Sequence, residues 1–145
     1  MLKGLDPLLG PDLLAVLAAM GHGDEIVIAD ANFPGASVGR RLVRLDGSTA
    51  TRALEAVLSV MPLDQYVERP AAVMAVVGDP QAVPETVCEF QHLINRAEGR
   101  SVEIERIERF AFYERTRRAF AVVMTGERRL YGNVILAKGV IPPQE

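Results

Sequence analysis

The sequence predicts an α/β fold: a single domain over residues 1–145, built as a three-layer α/β/α sandwich around a mainly parallel central sheet. Three observations lead there. Runs such as Ile26-Val27-Ile28-Ala29 and Ala72-Val73-Met74-Ala75-Val76-Val77 are apolar at consecutive positions, as strands covered on both faces are. These runs alternate with segments of helical periodicity, the pattern of parallel crossover units. The chain has 145 residues, 49% of them hydrophobic, enough for one real core, and no repeat, low-complexity tract or linker divides it.

Taken in order, the elements begin with a helix at 11–20. Pro11 and Asp12 suit its first turn, and Leu13, Leu14, Val16, Leu17 and Met20 carry its apolar spacing. Gly21 stands where a helix commonly ends in a left-handed residue. A strand follows at 26–29 and ends at Asp30. Residues 31–47 read as irregular, punctuated by Asn32, Pro34, Gly35, Gly39 and the turn Asp46-Gly47. A helix at 49–60 puts Leu54, Val57, Leu58 and Met61 on one face. The strand at 72–77 closes at Gly78-Asp79-Pro80, and the next helix runs from Pro84 to Gly99. The remainder reads as a strand near 102–107, a short polar helix near 112–118, a strand at 119–124, a turn at Thr125-Gly126-Glu127 and a last strand at 133–137.

Composition excludes several functions. The net charge of −3 offers no electrostatic footprint for nucleic acid or an anionic membrane. No apolar run approaches membrane-spanning length and no signal-peptide core opens the chain, so a cytoplasmic protein is expected. One cysteine, Cys88, rules out an internal disulfide framework, and two histidines with that cysteine form no zinc pattern. No GxGxxG follows a strand, and there is no Walker A sequence or GxSxG elbow. No cofactor and no metal are expected. What remains is acid/base work on a small polar ligand.

Few polar residues could carry that work. His22 lies between two glycines in Met20-Gly21-His22-Gly23-Asp24-Glu25, with open space for a ligand on both sides of its ring. Neither a helical nor a strand face dictates a histidine there. It is either a capping residue of the turn or an acid/base group. His92 is the contrast: it lies roughly 170° from the apolar face of Val83, Val87, Phe90 and Ile94 and reads as a surface residue. Asp30 ends an apolar strand, where open sheets bind ligands and a carboxylate suits sugar hydroxyls; it could equally be an Asx-turn residue. Asp24 and Glu25 read as solvating the turn. Glu114, Arg115, Arg117 and Arg118 read as a solvated helix face with internal ion pairs. Tyr131-Gly132-Asn133 opens the last strand after a loop, and turn chemistry alone would account for it.

The segments Met20–Glu25, Asp30-Ala31-Asn32-Phe33-Pro34 and Arg109-Phe110-Ala111-Phe112-Tyr113-Glu114-Arg115 resemble the L-fucose mutarotase family, sister of the D-ribose pyranases. So do Ala119–Val123, Thr125-Gly126-Glu127, Tyr131-Gly132-Asn133 and Gly139-Val140. The resemblance runs from about residue 2 to 141, with 36–44 its least typical stretch. It implies a cofactor-independent isomerase that interconverts the α and β anomers of a free sugar. His22 would be the proton donor, and Asp30, Arg109, Tyr131, Gly132 and Asn133 would bind the sugar. The ribose branch tends to carry histidine where Arg109 stands and lacks the Phe-Tyr-Glu-Arg run, so the resemblance implies L-fucose. A D-ribose pyranase-like isomerase and a non-catalytic sugar-binding module are the alternatives. A nucleotide-binding module is disfavoured by the missing phosphate loop. Ring-shaped homo-oligomers, decamers among them, and dimers occur in the family.

Strand geometry adds an expectation about assembly. His22 precedes the strand at 26–29 and Asp30 follows it, which puts them on the order of 20 Å apart. In an all-parallel sheet Asp30 and Arg109 gather at the carboxyl edge, with His22, Tyr131 and Asn133 at the other. A site uniting them needs two subunits in a heterologous contact, which closes naturally into a ring.

Overall fold

The computed structural model describes residues 1–144. Its elements are α1 (Pro11–Ala19), β1 (Glu25–Ala29), α2 (Gly35–Val38), β2 (Leu42–Leu45), α3 (Ala50–Leu58), β3 (Ala71–Met74), α4 (Glu85–Glu98), β4 (Ile104–Ile107), α5 (Arg109–Arg118), β5 (Ala121–Thr125) and β6 (Val134–Ala137). The six strands form one sheet in the order β2-β5-β1-β6-β3-β4.

Consecutive apolar residues serve two cores because successive side chains leave a strand on opposite faces. Ile26 and Ile28 of β1, with Val123 and Leu136, pack under α1, α3 and α4 through Leu13, Leu54, Phe90 and Ile94. Val27 and Ala29, with Val122 and Ile135, pack on the other face against α2 and α5 through Val38 and Phe112. The three-layer α/β/α expectation holds, and the sheet is mainly parallel: β1–β5, β2–β5 and β3–β4 are parallel pairs.

The last strand is the exception, and it corrects the all-parallel geometry. β6 runs antiparallel to both β1 and β3, between which it lies. An apolar strand reads the same in either direction, so its composition does not reveal this. Connection length does: residues 126–133 are too few for a parallel crossover, which takes a dozen or more.

Other boundaries also shift. The segment 31–47 holds α2 and β2. Both are short, and β2 is an edge strand in which only Val43 is buried. Gly35 lets α2 sit directly on β5, since a β-carbon there would collide with Met124. The strand at 72–77 stops at Met74; Ala75 still donates to Ile107 O, and the chain then turns through Gly78 at φ +82°. The helix expected from 112 starts at Arg109, because the Glu108 carboxylate accepts the Phe110 and Ala111 N–H groups at 2.9 and 3.0 Å. Gly21 is not the left-handed residue after α1; that role falls to Gly23 at φ +84°.

Glu25 and Arg115 are not solvent-facing charges. Arg115 spans from α5 to Glu25 at the start of β1, at 2.6 Å, and to Glu105 of β4 at 3.3 Å. Arg117 and Glu114 do pair within the helix, at 3.0 Å. At the other end of α5, the fully buried Phe112 meets Phe33 edge-on at 5.7 Å and fixes the loop that follows Asp30. Phe112→Ala is therefore expected to cost about 3–5 kcal/mol of stability. Urea unfolding followed by circular dichroism measures it as a lower midpoint at unchanged slope.

Candidate active site

Because β6 is reversed, its first residues arrive beside the carboxyl end of β1. The Asp30 N–H donates to Asn133 Oδ1 at 2.8 Å, and the Gly132 N–H donates to Asp30 Oδ2 at 3.2 Å. Asp30 Oδ1 accepts the Asn32 N–H at 3.0 Å. Asp30, Gly132 and Asn133 are all buried and form one cradle. Gly132 is required for close approach: a β-carbon there would lie 2.9 Å from Glu127 Cγ and 3.4 Å from Asp30 Cβ. Tyr131 takes the left-handed conformation, φ 59°, and its hydroxyl accepts the Val77 N–H at 3.0 Å. Tyr131 and Asn133 thus join Asp30 at the carboxyl edge, correcting the placement that an all-parallel sheet implied.

Arg109 opens α5 at that same edge, since β4 runs parallel to β3 and hence to β1. Two strands, β6 and β3, separate β4 from β1 in the sheet. Arg109 is exposed, and its guanidinium lies 4.5 Å from the centre of the exposed Phe110 ring.

His22 lies at the opposite edge. The five residues of β1 alone span about 16 Å, so one chain does not bring His22 to Asp30. Its turn is well fixed. Gly23 N–H donates to Lys138 O at 2.8 Å, Gly21 N–H donates to Asp24 Oδ2 at 2.8 Å, and the Lys138 ammonium caps α1 through Leu17 O and Met20 O at 2.7 and 2.6 Å. Asp24 is therefore a structural part of the turn. The imidazole is half exposed and its Nε2 lies 2.9 Å from Asp64 Oδ1. Tyr66 flanks the ring at a centroid distance of 5.4 Å.

Asp64 and Tyr66 escaped the sequence reading. They lie in a stretch with neither helical nor strand periodicity, and the only signal was an aspartate following Pro62-Leu63, a turn cue. The Asp64 N–H donates to Ala137 O at 2.9 Å, which sets this loop against the end of β6. His92 is exposed on α4, as expected. Among the described residues, no group of His, Cys, Asp or Glu side chains could hold a metal ion, and no helix is long and apolar enough to cross a membrane.

The fold and the two sheet-edge sites define a single-domain α/β protein with a carboxylate–amide cradle at one edge and a carboxylate-held histidine at the other. A family model described as the RbsD / FucU transport protein family matches residues 3–141, and the chain belongs to that family. It is 52% identical over 146 residues to the fucose mutarotase of Homo sapiens, covering 97% of this chain and 94% of that protein. It is 50% identical over 145 residues to the L-fucose mutarotase of Glaesserella parasuis serovar 5 (strain SH0165), covering 98% and 97%. The fucose mutarotase of Streptococcus pneumoniae, solved in complex with L-fucose, superposes with a TM-score of 0.91 at 42% identity, covering 97% of this chain and all of that one. Bacillus subtilis RbsD, solved with D-ribose, superposes with a TM-score of 0.74 at 27% identity, covering 97% and 99%.

The two buried aspartates titrate in opposite senses. Burial pushes the Asp30 carboxyl above its ordinary range, against the hydrogen bonds from Asn32, Gly132 and Asn133. Burial pushes Asp64 up as well, but the Tyr66 N–H and His22 outweigh it and hold that carboxyl below its ordinary range. A raised folded-state value means that ionising Asp30 costs stability as pH climbs through about 4 and above; a depressed one means that Asp64 contributes stability above about 4 that is lost as pH falls. Wild type's margin over Asp30→Asn should therefore shrink as pH rises through the carboxylate range. Its margin over Asp64→Asn should grow. Urea unfolding of the three proteins between pH 3 and 7, on the order of six points, measures both slopes.

Proposed function

We propose that this protein is a cofactor-independent mutarotase that interconverts the α and β anomers of L-fucose. The observation that carries the reading is its kinship, over nearly full length, with fucose mutarotases of bacterial and human origin. The residues present suit the chemistry. Mutarotation passes through the open-chain aldehyde. The ring oxygen takes a proton as its bond to C1 breaks, and the anomeric hydroxyl gives its proton to water. After rotation about C1–C2, reclosure reverses both transfers, so no electron or group is left over for a cofactor to carry. His22 is the proton donor, since imidazole side chains exchange protons readily near neutral pH. Asp30, Arg109, Tyr131, Gly132 and Asn133 bind the sugar hydroxyls.

The working site is shared between two subunits: the carboxyl edge of one protomer meets the amino edge of the next. The span of β1 between His22 and Asp30 supports this reading. So does the distribution of exposed apolar side chains, with Val77 (60% exposed), Phe110 (60%) and Leu130 (65%) at the carboxyl edge and Tyr66 (76%) and Val67 (46%) at the other. Joining unlike edges is a heterologous contact, and repeating it closes a ring.

Anomeric-exchange NMR on L-fucose tests both parts. His22→Ala should lower exchange by about 10²–10⁴-fold with the fold intact. Mixing His22→Ala with Asp30→Ala, each inactive, should restore exchange once subunits redistribute, because some interfaces regain both residues. No recovery after verified mixing would confine the site to one chain, and sugar binding without exchange in wild type would make the protein a sensor.

Arg109 sets sugar choice in this reading, because a guanidinium presents a fixed fork of donors that can bridge two hydroxyls. Arg109→His should weaken exchange of L-fucose more than that of D-ribose in the same NMR assay. Equal losses would remove Arg109 from specificity.

A further inference from the structure

We propose that Arg129 is a positioning residue for sugar binding, a clamp that ties the Tyr131–Asn133 segment to the buried Glu127 on one side and to α4 on the other. The inference rests on the mutarotase reading, in which Tyr131, Gly132 and Asn133 bind the sugar, and adds the group that holds them in place.

The clamp is built on a buried carboxylate. Glu127 is 3% exposed, and its main chain is fixed to the end of β1. The Ala31 N–H donates to Glu127 O at 2.8 Å, and the Glu127 N–H donates to Thr125 Oγ1 at 3.2 Å. That hydroxyl donates in turn to Ala29 O at 2.8 Å. Arg129 meets the Glu127 carboxylate three times. Nη2 donates to Oε1 at 3.0 Å, while Nε and the Arg129 main-chain N–H both donate to Oε2 at 3.2 Å. This pairing holds the Glu127 carboxyl below its ordinary range, against the effect of burial. The remaining nitrogen, Nη1, turns to α4 and lies 2.7 Å from Glu89 Oε2 and 3.8 Å from Glu85 Oε1. Glu89 Oε2 is buried and makes no hydrogen bond among the described residues, so the arginine charge is what offsets it. A planar fork can serve carboxylates on two elements at once, which a lysine ammonium does poorly.

Two residues further on, Tyr131 stands at φ 59°, a region that a residue with a β-carbon adopts only where its surroundings over-determine it. The surroundings here are the two supports that Arg129 joins. The buried Thr86 hydroxyl of α4 donates between Leu130 O and Tyr131 O, at 3.4 and 3.3 Å. On the other side, Gly132 packs on Glu127 so closely that a β-carbon would come within 2.9 Å of its Cγ. Held this way, the Tyr131 hydroxyl accepts the Val77 N–H at 3.0 Å. With its oxygen accepting from the protein, its own hydrogen is available to a sugar oxygen. Cutting the clamp lets the turn relax towards negative φ and swings the phenol away from Val77. None of these groups carries the proton in flight, so the loss falls equally on bound sugar and transition state. KM then rises while kcat holds.

The test uses the full chain. Arg129→Met keeps the apolar stem and removes the fork. It should raise KM for L-fucose exchange by about tenfold, the size of one good hydrogen bond, at unchanged kcat. Glu89→Ala removes only the α4 arm and should raise KM by about threefold. The double variant should match Arg129→Met alone, because both changes cut the same link. Hydrogen-exchange mass spectrometry of Arg129→Met without sugar should show faster exchange at 127–133 and 76–78, with the His22 turn unaltered. A wild-type KM in Arg129→Met, even with a lower urea midpoint, would make Arg129 a stability residue only and overturn the proposal. So would a loss confined to kcat, or single-variant factors that multiply in the double variant. If Arg129→Met does not fold, Glu89→Ala decides by the same KM and exchange readings. Faster exchange at 127–133 in a protein whose wild type leaves fucose anomers unchanged would sink the mutarotase reading and leave the clamp standing.

Discussion

Asp30 and Asn133 lie 103 residues apart in the chain and meet through a 2.8 Å hydrogen bond at the point where β1 ends and β6 begins. With the Gly132 N–H returned to the Asp30 carboxylate, that contact pins a reversed strand into an otherwise parallel sheet. Much of the carboxyl edge depends on it. Were β6 parallel to β1, Tyr131, Gly132 and Asn133 would lie at the far edge, and Asp30 would be a buried carboxylate with little beyond its own Asx-turn to satisfy it. Reversal supplies the Gly132 N–H to the carboxylate and an amide oxygen to the Asp30 N–H, and delivers the Tyr131 side chain to Val77 beyond β3.

The same reversal sharpens the division of the molecule. Its carboxyl edge carries a cradle of fixed polar groups plus an exposed arginine, Arg109, while its amino edge carries an imidazole with one nitrogen committed to a buried carboxylate. The polar cradle and the carboxylate-held imidazole thus lie at opposite edges of the sheet. The helices reinforce this arrangement: α5 runs from one edge to the other, with Arg109 at its start and the Arg115–Glu25 pair near its end.

The two buried aspartates show how environment separates like residues. Asp30 is surrounded by the apolar ends of β1 and β6 and answered only by neutral donors, so burial dominates. Asp64 is as deeply buried, yet an amide and an imidazole outweigh that cost. A carboxylate that remains ionised can orient a histidine. One whose ionisation is costly depends on every hydrogen-bond donor around it.

Sequence alone determined what depends on local pattern. The consecutive apolar runs required a sheet covered on both faces, and helical spacing placed α1, α3 and α4 close to their observed bounds. The glycine-flanked His22 stood out because no packing face demanded it, and Asp30 because it ends an apolar strand, where open sheets bind ligands. Short elements stayed hidden: α2 and β2 draw their stability from contact with β5, and the Glu108 cap that extends α5 back to Arg109 uses a residue type without a strong capping preference. Tertiary structure alone decided long-range pairing, while the direction of β6 was legible only in the short 126–133 connection and not in the strand itself. An apolar strand has no polarity in its composition, and hydrogen bonds such as Asp30–Asn133 and His22–Asp64 join residues whose separation of 103 or 42 positions leaves no periodic trace.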